Sequence, residues 1–312
     1  MLRTHLRNSA VLGIVGLCAV AFVVRSTSAA GASESVFDQY FENKTMRVDF
    51  YHSGTATEEH LALERAVSDG PWAGSRVNLV EALNLGKYHY EVRDLESNRL
   101  LFLQGFCCIF GEWQTTAEAK TSWGTFHASM RFPWPRKPVQ LVVKKRVGEL
   151  WQEVWNTKLD PASRFANSAD RAPAGQVWTI FENGPAQDKV DLVILGDGFT
   201  ANERDQFHAD AIRLVGKLFE TEPFKSRKED FNVRAVDLAA AQSGVTRPTA
   251  GEARRSPINV TYSIFGSERY ALTLDNRALR DAAAAAPYDC LAVLMNERKY
   301  GGGGIYNDQA VT

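Results

Sequence analysis

Residues that bind transition metals are scarce in this sequence. Its 312 residues include only six histidines and four cysteines. No two histidines are two or four positions apart, and the metalloprotease pattern H-E-x-x-H does not occur. A zinc site usually takes three protein ligands, often with two of them at such a short spacing. The sequence on its own therefore predicts no metal bound by this chain.

Neither sign of charge is in excess. Lysine and arginine total 36 residues, aspartate and glutamate total 37, and the formal net charge is −1. Proteins that bind nucleic acid or anionic membranes generally present a surplus of basic side chains. We therefore expect no nucleic-acid partner.

Long apolar runs are absent except at the N terminus, from Ala10 to Val24. Arg3 and Arg7 precede this run and the small residues RSTSAAGAS follow it, as in a secretory signal peptide. The run is shorter than the roughly 20 residues that span a bilayer, although a retained anchor is the alternative. We predict that residues 1–32 are a signal peptide. The protein would be exported to the extracellular space, periplasm or cell surface, with no stable membrane anchor after cleavage.

Cysteine is too rare for a disulfide framework. Only Cys107, Cys108 and Cys290 lie beyond the predicted signal peptide, and this odd number is low for an exported chain. All three lie in apolar runs that are typical of buried strands. We interpret them as small buried hydrophobic side chains.

Residues 33–160 are rich in aromatic and β-branched residues, in runs such as MRVDFYHSGT and VQLVVKKRV separated by turn signals. Within these residues, only TEEHLALERAVSD has a pattern that predicts a helix. The pattern predicts an antiparallel β-sandwich. Residues 161–175 are small, polar and proline-containing, which predicts a linker.

Residues 176–312 follow a different pattern. VDLVIL, FNVRAVDL and YDCLAVLM predict strands that are buried on both faces. Thr200 with Glu203 forms a capping-box signature for a helix whose apolar stripe begins at Phe207, and residues 275–286 predict a second helix. This alternation predicts a mainly parallel sheet. The expected fold is therefore α+β in two domains, an N-terminal sandwich and an α/β domain.

The segment LGDGFT, at the end of a predicted strand, is a candidate site because ligands of open α/β sheets bind at the carboxyl ends of the strands. A Gly-Asp-Ser hydrolase would need a nucleophile where Gly198 stands, and a nucleotide loop would need other glycines or a lysine. Asp197 as a phosphatase-like metal ligand stays open as a minor alternative. We favour a tight turn in which Gly198 supplies conformational freedom, Asp197 bonds local backbone amides and Thr200 caps the helix.

Three separated motifs carry a resemblance to a known family. The segments DKVDLVILGDGFTANERDQFHADAIRLVGKLFETEPF, FNVRAVDL and YGGGGIYN resemble, in order, the IgA-peptidase-type family of secreted zinc metalloendopeptidases. The resemblance covers roughly residues 176–312 and implies a zincin-like catalytic domain, a zinc cofactor and a polypeptide substrate. In that family an H-E-x-x-H helix follows the glycine-rich segment. We therefore expect these residues to be a truncated part of such a protein, inactive and without zinc.

The resemblance also suggests a role for the glycine-rich segment. Gly303, Gly304, Ile305 and Tyr306 would form a rim strand along which a substrate peptide lies. A plain flexible loop is the competing interpretation. A second function class is a non-catalytic exported protein that binds glycans or proteins, for which Trp134, Trp151 and Trp155 are the candidate platform, although core packing is the more common use of such residues.

Overall fold

The computed structural model describes residues 35–312, so the predicted signal peptide lies outside the described residues. The fold is mixed α+β and consists mostly of sheets. None of the helices within residues 35–312 has the length and apolar character needed to cross a membrane.

The N-terminal region, residues 36–167, contains two short helices, α1 (Val36–Tyr40) and α2 (Ile109–Trp113). Its eight strands are β1 (Phe41–Gly54), β2 (Glu59–Ser68), β3 (Tyr88–Asp94), β4 (Leu100–Phe106), β5 (Gly124–Pro135), β6 (Val139–Val147), β7 (Leu150–Leu159) and β8 (Ala166–Asn167).

These eight strands form two four-stranded sheets, with the orders β5–β1–β2–β8 and β4–β3–β6–β7. Every pairing is antiparallel except that of β2 with β8. Alternate residues of both sheets enter one hydrophobic core, for example Phe50 of β1 and Val143 of β6. The β-branched and aromatic runs predicted to be strands are therefore strands.

The prediction of a helix in TEEHLALERAVSD is wrong, because most of these residues form strand β2. Leu61 and Leu63 pack against the core while His60 and Ala62 are exposed, which is the two-residue period of a strand. Pairing with β1 outweighs the helix propensity of the Glu, Leu and Ala residues. The predicted linker, 161–175, also contains a short strand, β8.

The C-terminal region contains two longer helices, α3 (Arg204–Leu218) and α4 (Asn276–Ala283). Its strands are β9 (Gln176–Phe181), β10 (Val190–Asp197), β11 (Phe231–Asp237), β12 (Val260–Thr261), β13 (Leu272–Thr273), β14 (Cys290–Met295), β15 (Gly303–Ile305) and β16 (Gln309–Val311).

Six of these strands form one sheet in the order β15–β16–β14–β10–β11–β9, while β12 pairs with β13. The four inner strands are parallel, and the two edge strands are antiparallel to their neighbours. Helix α3 packs on one face through Phe207, and α4 packs on the other through Leu279. Coverage on both faces explains why β10 is apolar from Leu192 to Leu195.

A buried ionic cluster connects the N-terminal region to α4. The Arg47 side chain is fully buried, with Nε 2.9 Å from Asp49 Oδ1, Nη1 3.0 Å from Asp69 Oδ1 and Nη2 2.8 Å from Asp281 Oδ1. Arg131 stacks on the ring of Tyr288 at 3.4 Å. Since each buried charge has a partner, this cluster fixes how α4 sits against β1.

Candidate functional site

Asp197 ends β10 at the carboxyl edge of the parallel strands. Its side chain is fully buried, Oδ1 accepts from the Ile258 amide at 3.1 Å, and Oδ2 accepts from Ser256 Oγ at 2.7 Å and the Val260 amide at 2.9 Å. Burial raises the pKa of this carboxyl group even though the hydrogen bonds oppose the shift. Three donors occupy the carboxylate, so Asp197 is not available as a metal ligand. The prediction that Asp197 binds local backbone amides is wrong, because the Ile258 and Val260 amides lie about sixty residues along the chain.

The two neighbouring predicted residues build the turn into α3. Gly198 has a φ of +79°, and a Cβ there would lie 2.6 Å from the carbonyl oxygen of Gly244, so only glycine fits without strain. The Thr200 amide and hydroxyl both donate to Glu203 Oε2 at 2.8 Å, which completes the predicted capping box. Both contacts give these residues a structural role, and any direct part in binding stays a prediction.

A polar network that the sequence did not reveal surrounds this turn. Ser243 donates to Glu203 Oε1 at 2.7 Å, and the Asn296 side-chain amide donates to Ser243 Oγ at 3.1 Å and to the Gly198 carbonyl at 3.0 Å. Burial raises the pKa of Glu203, but hydrogen bonds from Ser243 and Thr200 outweigh it and lower the pKa to about 2. A carboxylate this acidic is a poor general base for Ser243. The network therefore stabilises the turn, and its one sequence signal is the position of Asn296 directly after β14.

His208 lies on α3 above the end of β11. Its Nε2 is 2.7 Å from Asp237 Oδ1, and its ring lies 4.0 Å from that of Trp178. About a quarter of the side chain is exposed, at 27 %. The residue sits at the rim of the apolar stripe of α3, beside Phe207.

One group of carboxylate and imidazole side chains within residues 35–312 comes close enough together to be tested as a metal site: Asp49, Glu64 and His127. Arg47 and Arg65 donate to the two Asp49 oxygens at 2.9 Å, and His127 Nε2 is 2.9 Å from Glu64 Oε2. The ligand atoms are thus already bound, two of them to guanidinium groups that would repel a cation. These residues do not fit zinc.

The glycine-rich segment forms the edge strand β15. A Cβ at Gly303 would lie 2.3 Å from the Tyr270 ring, and one at Gly301 would lie 2.3 Å from the Tyr262 ring. A Cβ at Gly304 would meet nothing within 4 Å. Gly301 and Gly303 are thus required for packing, whereas the space above Gly304, on the face of the sheet, is open.

Tyr306, predicted to lie on the substrate rim, contacts the N-terminal region. Its hydroxyl donates to Glu81 Oε1 at 3.0 Å, and its carbonyl accepts from the Cys107 amide at 2.9 Å. The adjacent Asn307 side chain donates to the Gly105 carbonyl at 2.7 Å. Ile305 is buried in the core below. Of the four predicted rim residues, Gly304 alone is both exposed and free of close neighbours.

A row of small residues crosses the sheet on the same face as α3. The strand register places Ala292 next to Ile194, Ala310 next to Ala292, and Gly304 next to Ala310. Ile194 is buried below α3, but Ala292 is only half-buried, and Ala310 and Gly304 are exposed. Ala310, Gly304 and Cys290 line a groove of about 430 Å³. We call the residues Ala292, Ala310 and Gly304 the small-residue row.

The cysteines and tryptophans follow the predictions only in part. Cys108 is buried and its Sγ lies 3.7 Å from His52 Nδ1, whereas Cys290 is exposed, so its predicted burial is wrong. Its strand begins at the open end of the groove, which removes the cover expected from its apolar neighbours. Trp134 is buried and Trp155 stacks on Phe50, so two of the three candidate platform tryptophans pack in the core.

Comparison with known proteins matches both regions. Residues 179–312 match the family described as IgA Peptidase M64, and residues 36–154 match the Peptidase M64 N-terminus. A search of curated proteins gave no match. The two family matches follow each other in the same order as the two regions of the fold.

Proposed function

The chain belongs to the IgA peptidase M64 family, and from this premise we propose that it is part of an exported zinc-dependent endopeptidase. Residues 33–160 would form its N-terminal β-sandwich domain, 161–175 a linker, and 176–312 the first part of a zincin-like catalytic domain. The polypeptide substrate follows from the peptidase family. Immunoglobulin as the substrate does not follow from the family name.

The observation that carries this proposal is the arrangement of β15. It is antiparallel to β16 and lies at the edge of an otherwise parallel sheet. An extended peptide can join such an edge by strand addition, with the main-chain groups of the edge strand as its partners. Gly304 is exposed and has no side chain, so a second backbone can approach it closely. We therefore place the substrate along β15, with Gly303, Gly304 and Ile305 as its neighbours.

The small-residue row supports a seat for the zinc helix. Side chains at Ala292, Ala310 and Gly304 are short, so a helix can approach the sheet closely there, next to α3 and beside β15. The pattern H-E-x-x-H is absent from the 312 residues. We propose that the helix with this motif, in the same protein, packs on the small-residue row.

Zinc, when held by that helix, would polarise the scissile carbonyl and lower the pKa of a bound water toward ~7. The residues of this chain would do other work. The main chain of β15 would bind and orient the peptide, and the small-residue row would fix the distance between peptide and helix. No proton transfer is assigned to Asp197, Glu203 or His208, because their side chains are occupied by structural hydrogen bonds.

The proposal is tested by expressing these 312 residues alone and with the coding sequence that follows them in the gene. The chain alone is expected to bind no stoichiometric zinc and to leave unfolded casein intact. The extended protein is expected to hold one zinc per chain and to cleave casein. Changing the motif glutamate to glutamine is expected to abolish the cleavage. One tightly held zinc or casein cleavage by the 312-residue chain would overturn the proposal. A following sequence without the motif would favour the non-catalytic binding protein.

The seat of the helix has its own test in the extended protein. Ala310→Trp fills the small-residue row and is expected to lower both zinc content and activity at least tenfold. Val147→Trp, on an exposed strand end of the N-terminal region, is the matched control and should leave both unchanged. Equal zinc and activity in the two variants would contradict the proposed seat.

A further inference from the structure

The edge strand β15 is one arm of a small hairpin, and the tip of this hairpin is bound to the N-terminal region. Gly303 pairs with Val311 and Ile305 with Gln309, so the two arms are three residues each. The turn between them contains Tyr306 and Asn307. A two-stranded hairpin of this size has little stability of its own.

Glu81 bridges the hairpin and strand β4. Its Oε1 accepts from the Tyr306 hydroxyl at 3.0 Å, and its Oε2 accepts from the Gly105 amide at 3.0 Å. The main chain of Glu81 is itself fixed, because its amide donates to the Leu103 carbonyl at 3.0 Å. One carboxylate therefore ties the turn to a strand of the N-terminal sheet.

The end of β4 adds two further contacts. The Cys107 amide donates to the Tyr306 carbonyl at 2.9 Å, and the Gly105 carbonyl accepts from the Asn307 side chain at 2.7 Å. Asn307 has a φ of +53°, a conformation that asparagine tolerates better than most residues. Residues 105–107 thus run alongside the turn and hold it on its outer side.

Hydrogen bonds from the C-terminal region hold the second arm of the hairpin. Arg280 Nη2 lies 2.5 Å from Asp308 Oδ1. The Gln309 side chain accepts from the Thr273 amide at 3.1 Å and donates to the Thr273 carbonyl at 3.0 Å. These bonds fix β16 against the sheet. The first arm, β15, packs through Gly303 and Ile305, but two of its three residues are glycine, so its exposed main chain also depends on the turn for its position.

We propose that Glu81 is a positioning residue for substrate binding, through which the N-terminal region fixes the edge strand β15 in the conformation that accepts a peptide. The inference rests on the proposed function of β15. On this proposal the N-terminal region helps to bind the substrate, because it holds the strand to which the peptide is added. Loss of the bridge leaves the sheet intact but frees the turn and the glycine arm.

The test uses hydrogen exchange of the 312-residue chain, which requires no activity. Glu81→Ala and Tyr306→Phe each remove the bridge and are expected to raise amide exchange in residues 303–310 about tenfold, as expected for one hydrogen bond to a charged group. The double variant should exchange no faster than Glu81→Ala alone. Glu81→Gln keeps one acceptor and one donor and is expected to restore most of the protection.

Arg277→Gln is the matched control. It removes another contact between the two regions, that of Arg277 with Glu64, without touching the hairpin. Exchange in residues 303–310 should not change in this variant. Unaltered exchange in Glu81→Ala, or a rise spread evenly over the chain in both variants, would overturn the proposal.

Activity provides the second measurement, in the extended, zinc-loaded protein. Glu81→Ala is expected to raise KM for a peptide substrate about tenfold with little change in kcat, because it disorders the binding strand and leaves the zinc site untouched. Faster exchange with an unchanged KM would show that Glu81 holds the hairpin but that β15 is not the substrate strand. That result would contradict the positioning role and the site of the proposed function, while the peptidase activity itself would stand.

Discussion

The two faces of the six-stranded sheet are covered to different extents. On the α4 side each central strand contributes large side chains that are almost completely buried: Val193, Leu195, Val293 and Val311. On the α3 side Ile194 is equally buried, but the row ends in Ala292, Ala310 and Gly304, which solvent reaches. The large buried residues on the α4 side stabilise the C-terminal region, whereas the small exposed residues on the α3 side leave space for another element. We call the α4 side the closed face, and the part of the α3 side formed by the small-residue row the open face.

The largest expected effect contrasts one residue from each face. Leu195→Ala is expected to lower the free energy of unfolding by about 2–5 kcal/mol, because it opens a cavity in the closed face. Ala310→Glu on the open face should change it by less than about 0.5 kcal/mol. Urea unfolding followed by circular dichroism measures both. A large loss in Ala310→Glu would mean that the open face is packed and not available.

A smaller effect separates two adjacent glycines of β15. Gly303→Ala places a methyl group against the Tyr270 ring and is expected to cost about 1–3 kcal/mol. Gly304→Ala meets open space and should stay within about 0.5 kcal/mol of the parent chain. Thermal unfolding of the two variants gives the comparison. Equal costs would contradict the assignment of Gly303 to the closed face.

Sequence patterns predicted the elements that form through local or repeated contacts. The apolar run of β10, the capping box of Thr200 and the stripe that begins at Phe207 all lie where they were predicted. Each of these sequence patterns lies within one strand or one helix, so a short window of sequence contains all of it. The family resemblance of residues 176–312 added the peptidase assignment, which the scarce histidines could not supply.

The features that the sequence did not reveal depend on partners far along the chain. The donors to Asp197 come from residues 256–260, and Tyr306 finds Glu81 in the other region. The residues of strand β2 have the propensity of a helix, but their pairing with β1 decides their structure. No window of sequence contains both members of such pairs.

The smallest expected effect concerns pH and two carboxylates at opposite ends of the sheet. Hydrogen bonds lower the pKa of Glu203, at the carboxyl end, from 4.5 to about 2, against the effect of burial. A depressed pKa in the folded state stabilises the fold above pH 4.5, and this stabilisation is lost as pH falls toward 2. Desolvation, aided by Asp191, raises the pKa of Asp289 from 3.8 to about 6. The folded state then favours the protonated acid, so this contribution is lost as pH rises from about 4 to 6.

The two slopes have opposite signs, so single variants can separate them. Glu203→Gln should flatten the fall in stability below pH 4.5 and leave the range from pH 4 to 6 unchanged, whereas Asp289→Asn should do the reverse. Urea unfolding at half-unit intervals from pH 2.5 to 7 measures both. Matching pH profiles for Glu203→Gln and Asp289→Asn would contradict the opposite signs of the two pKa shifts.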